Sequence, residues 1–97
     1  MKTPAEAAEF ITAFIAEAFA ESGISASIAP DMALIGDDSN LDSQKLVELC
    51  LALEDWAATS GFEFDWTSEA AMSRSQSMFR SVASLAKEVS EQSKAAA

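Results

Sequence analysis

The chain has no histidine, one cysteine and three glycines, and each shortage removes a class of chemistry. Without histidine there is no side chain whose ordinary pKa suits a general base near neutrality, and a serine or cysteine nucleophile lacks its commonest activator. The lone cysteine, Cys50, excludes an internal disulfide. It falls on the apolar side of an expected helix with no cationic partner, so it reads as a small core residue rather than a reactive thiol. The glycines form no phosphate-cradling loop. An enzyme active site within this chain is not expected.

Bases are also scarce. Six Lys and Arg stand against sixteen Asp and Glu, for a net charge of −10 and a pI near 4.1. A nucleic-acid backbone needs clustered Lys and Arg, so nucleic acid is not an expected partner. No apolar run approaches the ~18 residues that suggest a membrane span. The N-terminal stretch has neither the basic region nor the long apolar core of a signal peptide. Its Phe10, Ile11, Phe14 and Ile15 are interrupted at helical spacing by Glu9 and Glu17. A cytoplasmic location is the default expectation.

What is present is a chain of 97 residues, 49% apolar, enough for one modest core and too apolar for compositional disorder. Thr3-Pro4-Ala5-Glu6 fits a capping box with proline at the first helical position. Phe10, Phe14 and Ala18, with Ile11, Ile15 and Phe19 beside them, give the first helix its apolar stripe, with Glu6, Glu9, Glu17 and Glu21 largely off it. Gly23 supplies the stop. A long connection to Leu41 follows, with Ile24, Ile28, Met32, Leu34 and Ile35 as apolar anchors and turns at Ala29-Pro30-Asp31 and around Gly36.

A second helix is expected from Asp42 as N-cap. Its buried stripe is Leu46, Leu49, Cys50, Leu53 and Trp56 or Ala57, and Ser60-Gly61 ends it. Phe62-Glu63-Phe64-Asp65-Trp66 alternates like a strand. With no second strand to pair with, it is expected to be an extended connector whose aromatics cover the core. Thr67 or Ser68 can cap a short helix to about Met72. Ser77 can cap the last helix, with Phe79, Val82, Leu85, Ala86 and Val89 as its stripe. Residues 91–97 lack a core-facing pattern and are expected to fray, leaving 1–90 as the domain. The fold class that follows is all-α, with three longer helices and one short one.

The run Leu41-Asp42-Ser43-Gln44-Lys45-Leu46-Val47-Glu48-Leu49 puts an acid and a hydroxyl at the start of the second helix. There, unpaired backbone N–H groups and the helix dipole favour anions. Extended through Ala52-Leu53-Glu54-Asp55, the run resembles the start of the second helix in acyl carrier proteins. Leu34-Ile35-Gly36 before it, and Ser77-Met78-Phe79-Arg80-Ser81-Val82 later, resemble a specialised branch of stand-alone bacterial carriers.

The resemblance implies an acyl-carrier-type bundle with a 4'-phosphopantetheine arm on Ser43, beside the helix cap Asp42. It implies an acyl or aminoacyl cargo held as a thioester for a lipid or secondary-metabolite pathway. The implied partners are a phosphopantetheinyl transferase, an acyl- or aminoacyl-activating ligase or synthase, and an acyl-accepting enzyme, with the carrier itself a monomer. Candidate docking residues are Gln44, Val47, Glu48, Leu51, Glu54 and Asp55. Gln44 stands where the family usually has an apolar residue, Lys45 where it often has an acid, and Met78 where the branch has proline. The first two changes alter the surface beside the arm, away from the carrier of housekeeping fatty-acid synthesis.

The surrounding charge agrees with docking to basic partners. Asp37, Asp38, Asp42, Glu48, Glu54, Asp55, Glu63, Asp65 and Glu69 face a single base, Lys45, between residues 37 and 69. Such a field steers basic partners over long range. Three other readings compete. Ser39 also follows an aspartate, but no apolar helical stripe starts at the right offset from it. Asp37 to Glu48 has the length of a calcium loop, but Leu41 and Asp42 occupy positions that need an oxygen ligand and a glycine. The remaining alternative is an acidic helical interaction module with no prosthetic group.

Overall fold

A computed structural model of the protein describes residues 3–24, 28–35, 41 and 43–96, with the backbone alone for Ser43 and Ala96. The regular structure of the described residues is all-helical: α1 (Pro4–Ser22), α2 (Ser43–Thr59), α3 (Glu69–Ser73), α4 (Ser75–Met78) and α5 (Val82–Ala96). Two short helices, rather than the single one expected, therefore separate α2 from α5. Among the described residues no helix is long and apolar enough to cross a membrane.

The ends of α1 follow from local chemistry. Thr3 Oγ1 accepts from the Glu6 N–H at 3.1 Å and donates to Glu6 Oε1 at 3.2 Å, and Pro4 occupies the first turn. At the other end Gly23 takes φ 71°, a left-handed position that costs glycine little. Its N–H and that of Ile24 then return to the Ala20 and Phe19 carbonyls. The stripe turns slightly from the expected centre. Ala7, Ile11, Ile15 and Phe19 are buried, whereas Phe10 and Phe14 flank the core half-exposed. Phe10 instead stacks on Trp56 of α2, with ring centroids 5.0 Å apart and planes at 19°.

The core gathers this α1 stripe, Leu49, Cys50, Leu53 and Ala57 of α2, and Val82, Leu85, Ala86 and Val89 of α5. Helix α1 packs most extensively on α5 and more narrowly on α2. Leu34 and Leu41 are buried anchors of the long connection. Ile24, Ile28 and Met32 pack against the same core, while Ile35 remains exposed.

That connection also starts α5. The Val82 N–H donates to the Met32 carbonyl at 3.2 Å and the Ala83 N–H to the Pro30 carbonyl at 2.8 Å. Ser81 Oγ takes the Ser84 N–H at 3.1 Å, and the Ser81 carbonyl takes that of Leu85. Every orphan donor of the first turn is thereby satisfied. The last helix accordingly begins after Ser81, not after Ser77 as its sequence suggested. Residues 75–78 form the separate α4, and Met78 at its end and Phe79 just after it are buried.

The connector after α2 forms no helix or strand and covers the core with Phe62 and Phe64, with Glu63 exposed between them. Ser68 caps α3 by accepting from the Ala71 N–H. At the C-terminus the expectation of fraying from Glu91 does not hold. Helix α5 continues through Ala96, Ser93 is buried, and Gln92 is hydrogen-bonded to the connector.

Candidate functional site

Helix α2 opens at Ser43. The Ser43 side chain lies outside the described residues, as do Asp42, the competing Ser39, and the Asp37 and Asp38 of the calcium-loop reading. Leu41 is buried just before the helix and Leu49 one turn and a half into it. These anchors fix which face of α2 meets the core.

The opposite face carries a continuous line of candidates. Gln44, Val47, Leu51, Glu54 and Asp55 recur at spacings of three and four residues and are all exposed. Val47 and Leu51 retain 43% and 50% of their surface, so two aliphatic side chains stand in solvent between polar neighbours. Among the described residues only Ile35 and Met72 are comparably exposed large hydrophobics.

The acids divide into differently engaged groups. Glu48 is half-buried and lies 3.8 Å from Lys45 Nζ, which also sits 3.6 Å from Glu21 of α1. These residues, with Phe14, Glu17 and Ala18, line a cleft of about 90 Å³ between α1 and α2. Glu54 accepts a hydrogen bond from Trp66 Nε1 at 3.0 Å. Asp55 alone of the three docking acids has no hydrogen bond or ion pair among the described residues. Neither the Lys45 bridge between helices nor the Trp66–Glu54 bond has a signal in linear sequence, because each depends on where two elements meet.

Cys50 is buried with its thiol pushed up to about 12, first by desolvation and then by the nearby Glu54 charge. A thiol held neutral this firmly is a poor nucleophile. Among the described residues, no group of three or more His, Cys, Asp or Glu is arranged to hold a metal ion. An apolar groove of about 390 Å³ runs between the start of α1 and the start of α5, under Ile28 and Pro30, with no α2 residue in its lining.

No family model matches this chain, and no curated protein or solved structure matches it either.

Proposed function

We propose that the protein is a carrier that holds an acyl or aminoacyl group as a thioester on a 4'-phosphopantetheine arm attached to Ser43. The observation that carries this reading is that Ser43, which follows Asp42 in the motif, is the first residue of α2. It is supported by the all-helical fold and by the exposed Val47 and Leu51 ridge on the same helix.

The chemistry at the helix start suits the implied group. A phosphodiester on Ser43 is anionic. The first turn of α2 contains no acid and includes Lys45, and its dipole end favours negative charge. When bound, the arm supplies a terminal thiol on a long tether. The chain's own residues then do two things: Ser43, the first residue of α2, is the attachment point, and the ridge from Gln44 to Asp55 meets the enzymes that load and unload the arm. Val47 and Leu51 offer apolar contact, and Asp55 offers a charge that has no hydrogen bond or ion pair among the described residues.

The acceptors of this surface would be a phosphopantetheinyl transferase, an activating ligase or synthase, and an acyl-accepting enzyme. The carrier performs no bond chemistry on its cargo. The same ridge would also serve an acidic interaction module with no prosthetic group. Intact-mass analysis after coexpression with a phosphopantetheinyl transferase separates the two. One added arm that disappears in Ser43→Ala supports the carrier, and an unmodified mass in the presence of active transferase supports the module.

A further inference from the structure

Half of the six bases in this acidic chain lie around one depression. Arg74, Arg80 and Lys87 line a cavity of about 260 Å³ together with Ser77 and Ser84, over the buried Met78. They come from the α3–α4 junction, the turn after α4, and the outer face of α5. Ser84, Lys87, Glu88 and Glu91 recur at helical spacing on that face, while Leu85, Ala86 and Val89 hold the other side of α5 in the core.

The carboxylates of the depression do not consume all this charge. Glu88 is bonded to Arg74 Nη2 at 3.1 Å and to Gln92 Nε2 at 2.8 Å. Arg74 also donates from Nη1 to the Ala70 carbonyl, so its guanidinium is held in place. Arg80 and Lys87 have no ion pair or side-chain hydrogen bond among the described residues. Three bases against two acids leave the depression at +1, and the rest of the chain, three bases against fourteen acids, at −11.

We infer that this depression binds a small phosphate-bearing anion, held by Arg80 and Lys87 with Arg74 and the hydroxyls of Ser77 and Ser84 around it. Guanidinium and ammonium groups beside hydroxyl donors match the many acceptor oxygens of a phosphate dianion. The start of α5 is not the binding element, because its first-turn N–H groups are already taken by Pro30, Met32 and Ser81. The ligand must be compact. The volume lies just below the usual range for small-molecule pockets, and a polyanion reaching beyond it would meet the −11 remainder. Free phosphate and a small phosphomonoester share the required chemistry.

The test is an amide chemical-shift titration of the full chain at constant ionic strength with inorganic phosphate, phenyl phosphate and acetate. Saturable shifts confined to residues 74–91, seen with either phosphate and weakened at least about tenfold in an Arg80→Gln/Lys87→Gln variant, support the site. Tighter binding of phenyl phosphate assigns an ester, and tighter binding of inorganic phosphate the free ion. Both substitutions are on exposed side chains, and an unchanged thermal melt verifies the fold. The inference is overturned by shifts that do not saturate, by binding that survives in the variant, or by acetate binding as tightly as the phosphates.

Discussion

Gln92 pairs with the backbone of Asp65 as a neighbouring strand would. Its Oε1 accepts from the Asp65 N–H at 2.6 Å and its Nε2 donates to the Asp65 carbonyl at 2.8 Å. The alternating segment from Phe62 to Trp66 thus has one side-chain amide from α5 in place of a β partner. Nε2 also reaches Glu88 at 2.8 Å, and Glu88 in turn holds Arg74. One residue near the C-terminus ties the aromatic connector to the α3–α4 junction.

Gln92→Ala should therefore destabilise the fold by about 1–3 kcal/mol, because it strands part-buried backbone groups of Asp65. Gln92→Glu should be at least as costly, since it removes the Nε2 donor and places a carboxylate against Glu88. Urea unfolding of the two variants checks both expectations. Equal stability of wild type and Gln92→Ala would mean that water replaces the amide without loss.

Asp65 makes stability depend on pH through its other end. Its carboxylate accepts from the Ser68 hydroxyl and, at 3.1 Å, from the Ser68 N–H. These bonds, the hydroxyl's first, hold it below the ordinary value of 3.8. A depressed carboxylate stabilises the fold at pH values above 3.8. That contribution is lost as pH falls from there through the lowered pKa, because the unfolded chain takes up the proton first. The stability difference between wild type and Asp65→Asn should be constant near neutrality and shrink in acid. Urea midpoints measured from neutral pH down to about pH 2 test this.

How much of this was legible in sequence depends on the range of the interaction that decides each feature. The caps of α1, at Thr3-Pro4-Ala5-Glu6 and Gly23, are settled within a few residues and could be read directly. The facing of α1 could not. Phe10-Phe14 and Ile11-Ile15 are equally apolar lines, and the choice depends on the isoleucines entering the shared core while Phe10 stacks on Trp56. Ser77 reads as the cap of the last helix, but the carbonyls of Pro30 and Met32 take the N–H groups after Ser81 and set the start there.

The burial of Ser93 and the bonding of Gln92 carry no hydrophobic signal at all. At the candidate site, Val47 and Leu51 lie off the buried stripe of an amphipathic helix, and that much can be read from spacing. The separate engagement of Glu48 and Glu54 by Lys45 and Trp66 cannot be. The cluster of Arg74, Arg80 and Lys87 is likewise assembled only by folding, from three elements that do not look basic one at a time.

Cys50 gives a second pH dependence of opposite sense. Its thiol is raised from 9.0 to about 12, so the unfolded chain loses that proton at lower pH than the folded one. The associated stability is present below pH 9 and is lost as pH rises from there toward the folded value. Cys50→Ala should flatten this alkaline limb of the wild-type curve, while itself leaving a small cavity. In the native protein Cys50 should resist a thiol reagent at pH 8 and react at once in urea. Rapid labelling without denaturant would contradict its burial.

Exposure makes the α2 ridge separable from folding. Val47→Asp and Leu51→Asp alter side chains outside the core, so each should change stability by about 0.5 kcal/mol or less. If the carrier reading holds, each should nevertheless slow modification of Ser43 by a phosphopantetheinyl transferase several-fold, by removing apolar contact at the partner interface. Asp55→Lys should slow it more than Glu48→Lys does, because the Glu48 charge is already offset by Lys45 at 3.8 Å. The Asp55 effect should fade with added salt, as exposed charges are screened over ~8 Å at physiological ionic strength. Transferase rates across a salt series, beside thermal melts of the same variants, make the measurement. Unchanged rates in both aspartate variants would move the docking surface off this face of α2 even if Ser43 is modified.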